Sequence, residues 1–166
     1  RADDMKTKKL VLMAMFVAIA VAGSAFVSFP AGIARAYPVQ HAINVMAAVL
    51  FGPIPAVVIA FVTGVVRVLT GTGSLLAFPG GMIGALLAGL FYMGTGKLWF
   101  AAAGEIIGTG ILASLVAVPY AKFLMGTESA AFFFMPPFLV SSATGAVLGV
   151  LLVYKLKNVY VKSELY

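Results

Sequence analysis

Residues 10–27 read LVLMAMFVAIAVAGSAFV, eighteen positions without a charge, directly behind Lys6, Lys8 and Lys9. As a helix rising 1.5 Å per residue the run is about 27 Å long, close to the roughly 30 Å hydrocarbon thickness of a bilayer. Pro30 and Gly32 close it. A basic start and the small Ala22-Gly23-Ser24-Ala25 segment also fit a signal peptide, but the stretch exceeds the usual signal core of about 7–15 apolar residues and further apolar runs follow. The run is read as the first of several membrane helices.

The rest of the chain supports that reading. Of 166 residues, 63% are hydrophobic and 10% charged, and the mean hydropathy is +1.11. An ordinary soluble domain has about 25% charged residues. Between Leu10 and Tyr154 the only charges are Arg35, Arg67, Lys97, Glu105, Lys122 and Glu128, too few to coat a soluble fold. The runs are apolar on every side, whereas barrel strands alternate apolar and polar residues. The fold class is therefore an all-α integral membrane protein. With no cysteine and one histidine, His41, thiolate metal sites, disulfides and His clusters are excluded, and no cofactor, metal or catalytic set is called for. The net charge of +6 sits at the chain ends, which suits an anionic cytoplasmic leaflet and gives no ground for nucleic-acid binding.

Pro, Gly and the rare charges punctuate five further segments: Pro38 to Phe51, Ile54 to Leu69, Phe78 or Gly80 to Met93, Leu98 to Leu124 with Pro119 near its end, and Met135 to Leu156. The second is too short to stand as a span by itself. Both chain ends are lysine-rich, and the positive-inside rule places both in the cytoplasm, which requires an even number of crossings. Six spans put eight basic residues inside and only Arg35, Arg67 and Lys122 outside. The chain is read as one domain over residues 5–157, with residues 1–4 an appended remnant ahead of Met5 and residues 158–166 a cytoplasmic tail.

Small residues recur every fourth position as Ala14/Ala18/Ala22, Gly81/Ala85/Gly89, Gly104/Gly108 and Ser141/Gly145/Gly149. Such stripes let helix backbones approach closely in lipid. The last three are expected to be bundle seams; the first fits a seam and a face for another subunit equally well. Polar side chains gather toward the outer ends. Tyr37, His41 and Asn44 share one helix face with Gln40 beside them; the third helix brings Thr63, Arg67 and Thr70, the fifth Thr109, Ser114 and Tyr120, and the sixth Ser141, Ser142 and Thr144. Mostly apolar walls with a few placed donors and acceptors describe a small-molecule pocket. Bland alternatives stand beside this: Ser and Thr bond back to their own helix, Arg67 snorkels to headgroups, and His41 is a bonded structural group. Glu105 is the one acid inside a span. It must be paired, protonated or facing a polar cavity, and it either lines the pocket floor, meets a lysine at the inner edge or answers a partner. Thr109 lies one turn on, on the same face.

The pattern resembles the substrate-binding S components of energy-coupling factor (ECF) vitamin transporters. Within them it is similar to the ThiW type, through PVQHAINV (residues 38–45), LAFPGGMIG (76–84) and GEIIGTG (104–110). The likeness runs from Met5 to about Lys157. It implies an outward-facing pocket formed by the first loop and the fourth to sixth helices, and docking through Ala14, Ala18 and Ala22 onto a shared T subunit. Two ATPase subunits would then drive toppling in the cell membrane of a bacterium or archaeon. The chain carries no phosphate loop, so it would be the specificity subunit and not an enzyme. The implied ligand is the thiazole precursor of thiamine, hydroxyethylthiazole. Thiamine itself is a cation and calls for a carboxylate and aromatic faces, whereas the outer half is net positive with Glu128 its only acid and Trp99 on the opposite side. The expected contacts are Tyr37, Gln40, His41, Asn44, Arg67, Glu105, Thr109 and Ser141, with Phe78, Met82 and Phe134 packing the ring. Alternatives are an S component for another vitamin or for an anionic precursor drawn by Arg35 and Arg67, a proton-coupled carrier using Glu105, and an assembly subunit.

Overall fold

A computed structural model describes the backbone of residues 1–163 and side chains through residue 158. Six helices follow one another up and down: α1 (Ala2–Phe26), α2 (Pro38–Phe51), α3 (Pro53–Leu69), α4 (Ala77–Thr95), α5 (Leu98–Met125) and α6 (Met135–Ser163). Four of them, α1, α4, α5 and α6, are long and apolar enough to cross a membrane, and α2 and α3 are shorter apolar helices. The chain is an all-α, multi-pass membrane bundle.

The 14 residues of α2 span only about 21 Å. Its burial explains the length, because ten of its residues, from Pro38 to Ala48, are buried. A helix packed against α1, α3, α4 and α6 has little lipid-facing flank to match to the bilayer. Pro38 and Pro53 start α2 and α3 where the missing N–H costs no hydrogen bond, and Gly52 turns between them at φ +92°. α1 lies on the outside. Met13, Phe16, Val17 and Ala20 pack on the core, while Ala14, Ala18 and Ala22 are exposed. The helix starts at Ala2, so residues 2–4 belong to its first turn. The last helix continues beyond residue 158 to Ser163; the remainder of the expected tail, residues 164–166, lies outside the described residues.

The three expected seams are present. A Cβ on Gly104 would overlap the Leu87 carbonyl, one on Gly108 would lie 2.8 Å from Gly84 Cα, and one on Gly89 would meet Pro53. Gly145 and Gly149 likewise admit the α2 backbone at Pro38 and Ala42. Close backbone approach of this kind replaces the hydrophobic effect as the source of cohesion in lipid. α5 is not uniform: it is π-wound over Ile106–Ala113 and again over Ala121–Met125. The second π stretch follows Pro119, whose missing N–H breaks the regular ladder.

The segment between α1 and α2, expected to be a loop, holds a small antiparallel hairpin, β1 (Phe29–Ala31) and β2 (Ala34–Ala36). Gly32 turns it at φ +64°, a conformation an L-residue resists. Arg35 fastens its base, donating from Nε to Ser28 Oγ at 2.9 Å and from Nη2 to Ser28 O at 3.0 Å. The hairpin, the α3–α4 loop and the start of α6 lie together at one end of the bundle.

Candidate functional site

At that end the helices part around a cavity of about 360 Å³, within the range of small-ligand pockets. β2, the N-terminal turns of α2, α4 and α6, Arg67 of α3 with the loop after it, and Thr109 of α5 form its walls.

Glu105 lies at the bottom, 0% exposed. His41 Nδ1 donates to its Oε1 at 2.5 Å. The Thr109 hydroxyl is 2.9 Å from the same oxygen and Asn44 Nδ2 is 3.4 Å from Oε2. Thr109 and Asn44 have second acceptors: the Gly80 carbonyl at 2.6 Å and the Gly81 carbonyl at 3.1 Å. His41 Nδ1 has Glu105 alone. Holding Nδ1 on a carboxylate turns Nε2 away from it, and His41 lines the cavity. Glycines make the room. A Cβ on Gly84 would overlap both Thr109 Oγ1 and the Glu105 carboxylate, and one on Gly81 would come within 2.9 Å of Gln40 Nε2.

Arg67 forms one wall. It lies in the last turn of α3, where a cation meets the partial negative charge of the last carbonyls. Its Nη1 donates to Gln40 Oε1 at 2.5 Å and its Nη2 to Thr72 O at 3.0 Å, and the guanidinium lies 4.3 Å above the centre of the Tyr37 ring. The side chain is 4% exposed and its Nε has no acceptor. Opposite, Ser141 Oγ accepts from the Tyr37 backbone N–H at 2.8 Å, tying the end of the hairpin to α6.

The structure thus brings Tyr37, Gln40, His41, Arg67, Thr109 and Ser141 to the cavity. Asn44 and Glu105 lie beneath it and support His41, so the floor is the imidazole and not the carboxylate. The three residues expected to pack a ring do not line it. Phe78 turns to α3, lying over Gly64 and 5.7 Å from the Phe61 ring. Met82 packs on the main core, and Phe134 fills a small cluster with Ala117 and Ala121. The aromatic wall is Phe138, missed by the sequence reading although it stands one turn before Ser141 on the same face. Also missed were Leu76 and the Gly71–Ser74 loop. Ser114 and Thr144 bond back to their own helix, to Gly110 O and Val140 O, as the bland reading held.

No curated protein matches the chain. The family model described as thiamine-precursor transporter protein (ThiW) does, over residues 10–159, so that nearly the whole bundle, cavity included, falls within the match and the chain belongs to the ThiW family.

Proposed function

We propose that this transporter is the substrate-specificity subunit of an ECF-type importer and that its cavity takes the thiazole precursor of thiamine, hydroxyethylthiazole. The observation that carries the reading is the cavity itself, which combines one open imidazole edge, neutral donors and acceptors at Gln40, Thr109 and Ser141, and the Phe138 ring. A thiazole alcohol offers matching groups: a ring nitrogen that accepts, a hydroxyl that donates and accepts, and an apolar methyl and sulfur. Cationic thiamine fits poorly, because the acid of the site is sealed under His41 while Arg67 stands in the wall. Lysines at both chain ends support an orientation with the termini in the cytoplasm and the cavity facing out. The test is the melting temperature of the purified chain in detergent against hydroxyethylthiazole, the pyrimidine precursor, thiamine and small carboxylates. Selective stabilisation by the thiazole supports the reading, and indifference to all four removes it.

Docking on a T subunit through α1, and through it on two ATPases, is the second half of the proposal. Its support is the exposed Ala14/Ala18/Ala22 stripe on the most peripheral helix of the bundle. Leucine at Ala18 alters that stripe without touching the cavity. Ala18→Leu is therefore expected to leave thiazole affinity within about twofold of wild type, since outward-facing substitutions away from special features cost little, while abolishing uptake by cells that contain the whole transporter. Undiminished uptake would mean that α1 is not the docking face.

A further inference from the structure

Arg67 presents a charge that no acidic side chain among the described residues balances. It is buried to 4% exposure, yet no carboxylate among the described residues lies within ion-pair distance of it. Its partners are an amide oxygen, a backbone carbonyl and an aromatic face. Of five guanidinium N–H groups, two are bonded in this way, and the Nε–H is buried without an acceptor. A cation taken out of water without an anion carries a large penalty. The α3 C-terminus offsets only a fraction of a charge.

The surroundings point the same way. The cavity is lined by two cations, Arg67 and, at its rim, Arg35, and by no acidic side chain. Glu105 is occupied below by His41 and fully covered. Leu76, the N-cap of the 19-residue α4, and Ala77 and Gly80 of its first turn face the same space, and that turn carries partial positive charge. The Gly71–Ser74 loop closes over the guanidinium so tightly that a Cβ on Gly73 would lie 3.1 Å from Arg67 Nε. Arg67 is thereby held in one place beside the cavity instead of snorkelling to headgroups.

We propose that the cavity contains an oxyanion subsite built on Arg67, and that its preferred ligand is an anionic form of the thiazole precursor, carrying a phosphate monoester or a carboxylate, over the neutral alcohol. The inference rests on the thiazole reading above and refines it. The oxyanion accepts the spare guanidinium N–H groups, and the ring remains between His41 and Phe138. Charge-assisted bonds of this kind are about twice as strong as neutral ones, and the charge they compensate is already buried.

The experiment is isothermal titration of the full chain in detergent with hydroxyethylthiazole, its O-phosphate and a thiazole bearing a ring carboxylate, at low and high salt. Wild type is expected to bind at least one of the two anions ten times or more tightly than the alcohol, and the two arms separate phosphate from carboxylate. In Arg67→Gln, shown to be folded by its melting curve, that advantage is expected to shrink to within threefold. Equal or tighter binding of the alcohol by wild type overturns the subsite and leaves the thiazole reading standing. Failure of all three compounds to bind overturns both. An undiminished advantage in folded Arg67→Gln overturns Arg67 as the anchor. If Arg67→Gln does not fold, Arg67→Lys, which keeps the charge but loses the planar fork, is expected to narrow the advantage in its place, and an unchanged advantage there counts against the assignment.

Discussion

Replacing Gly84 by alanine is expected to destabilise the bundle by about 3 kcal/mol or more and to abolish thiazole binding, although it adds one methyl group to a helix interior. On an exposed helix the same change is favourable by roughly 0.5–1 kcal/mol. Here the new Cβ would occupy space held by Thr109 Oγ1 and the Glu105 carboxylate. Both groups are buried, at 1% and 0% exposure, and α5 is pressed against α4 at Gly104 and Gly108, so neither can retreat cheaply. Overpacking a tight interior costs about 1–3 kcal/mol, and a buried polar group deprived of its partner adds about 1–3 kcal/mol. Binding fails because Glu105 is what fixes the His41 ring. Gly94→Ala is the control: nothing lies within 4 Å of its Cβ position, and it is expected to melt at or slightly above the wild-type temperature. Coincident melting curves for Gly84→Ala and wild type would show that the α4–α5 contact is not tight.

The helices were legible in the sequence because proline, glycine and scarce charges mark their ends. Pro38–Phe51 and Met135 were placed at the observed boundaries, since a proline at a first helical position and an apolar run behind it leave few alternatives. The hairpin was not legible. Strands of three residues, Phe29–Ala31 and Ala34–Ala36, are too short for any alternation, and their pairing depends on the turn at Gly32 and on Arg35 reaching Ser28. Within the site, Tyr37 and His41 reached the cavity, while Asn44, on the same helix face, lies beneath it. The apolar ring partners did not reach it. Phe78, Met82 and Phe134 are plausible ring partners, but helix rotation decides where they point, and it turned them onto α3, the core and a side cluster. The depth of Glu105 relative to His41 could not be counted from either helix alone, because it is set by the offset between α2 and α5. The π-wound turn from Ile106 to Ala113 adds an offset that regular helical spacing does not anticipate.

Glu105→Leu is expected to cost about 1–3 kcal/mol, the usual consequence of leaving a buried polar group without its partner, and the loss is expected to run through one residue. Of the three side chains that reach the carboxylate, Thr109 keeps the Gly80 carbonyl and Asn44 keeps the Gly81 carbonyl. Only His41 Nδ1 is left without a partner. An unsatisfied buried polar group is destabilising, whereas replacing both partners by apolar groups of similar shape can be nearly neutral. The double variant His41→Leu/Glu105→Leu is therefore expected to melt well above Glu105→Leu alone and within about 1 kcal/mol of wild type, while binding no thiazole. Such a result would place stability in the apolar seams and assign the pair to the ligand, consistent with His41 being the one member of the network that lines the cavity. Glu105→Gln separates charge from shape: it still accepts from His41 through its carbonyl oxygen, but its NH2 faces the Asn44 NH2. Its melting temperature is expected between wild type and Glu105→Leu, with weakened binding. Additive effects of His41→Leu and Glu105→Leu in a double-mutant cycle would mean that the short bond between them carries no coupling, and the account of how His41 is aimed would fall with it.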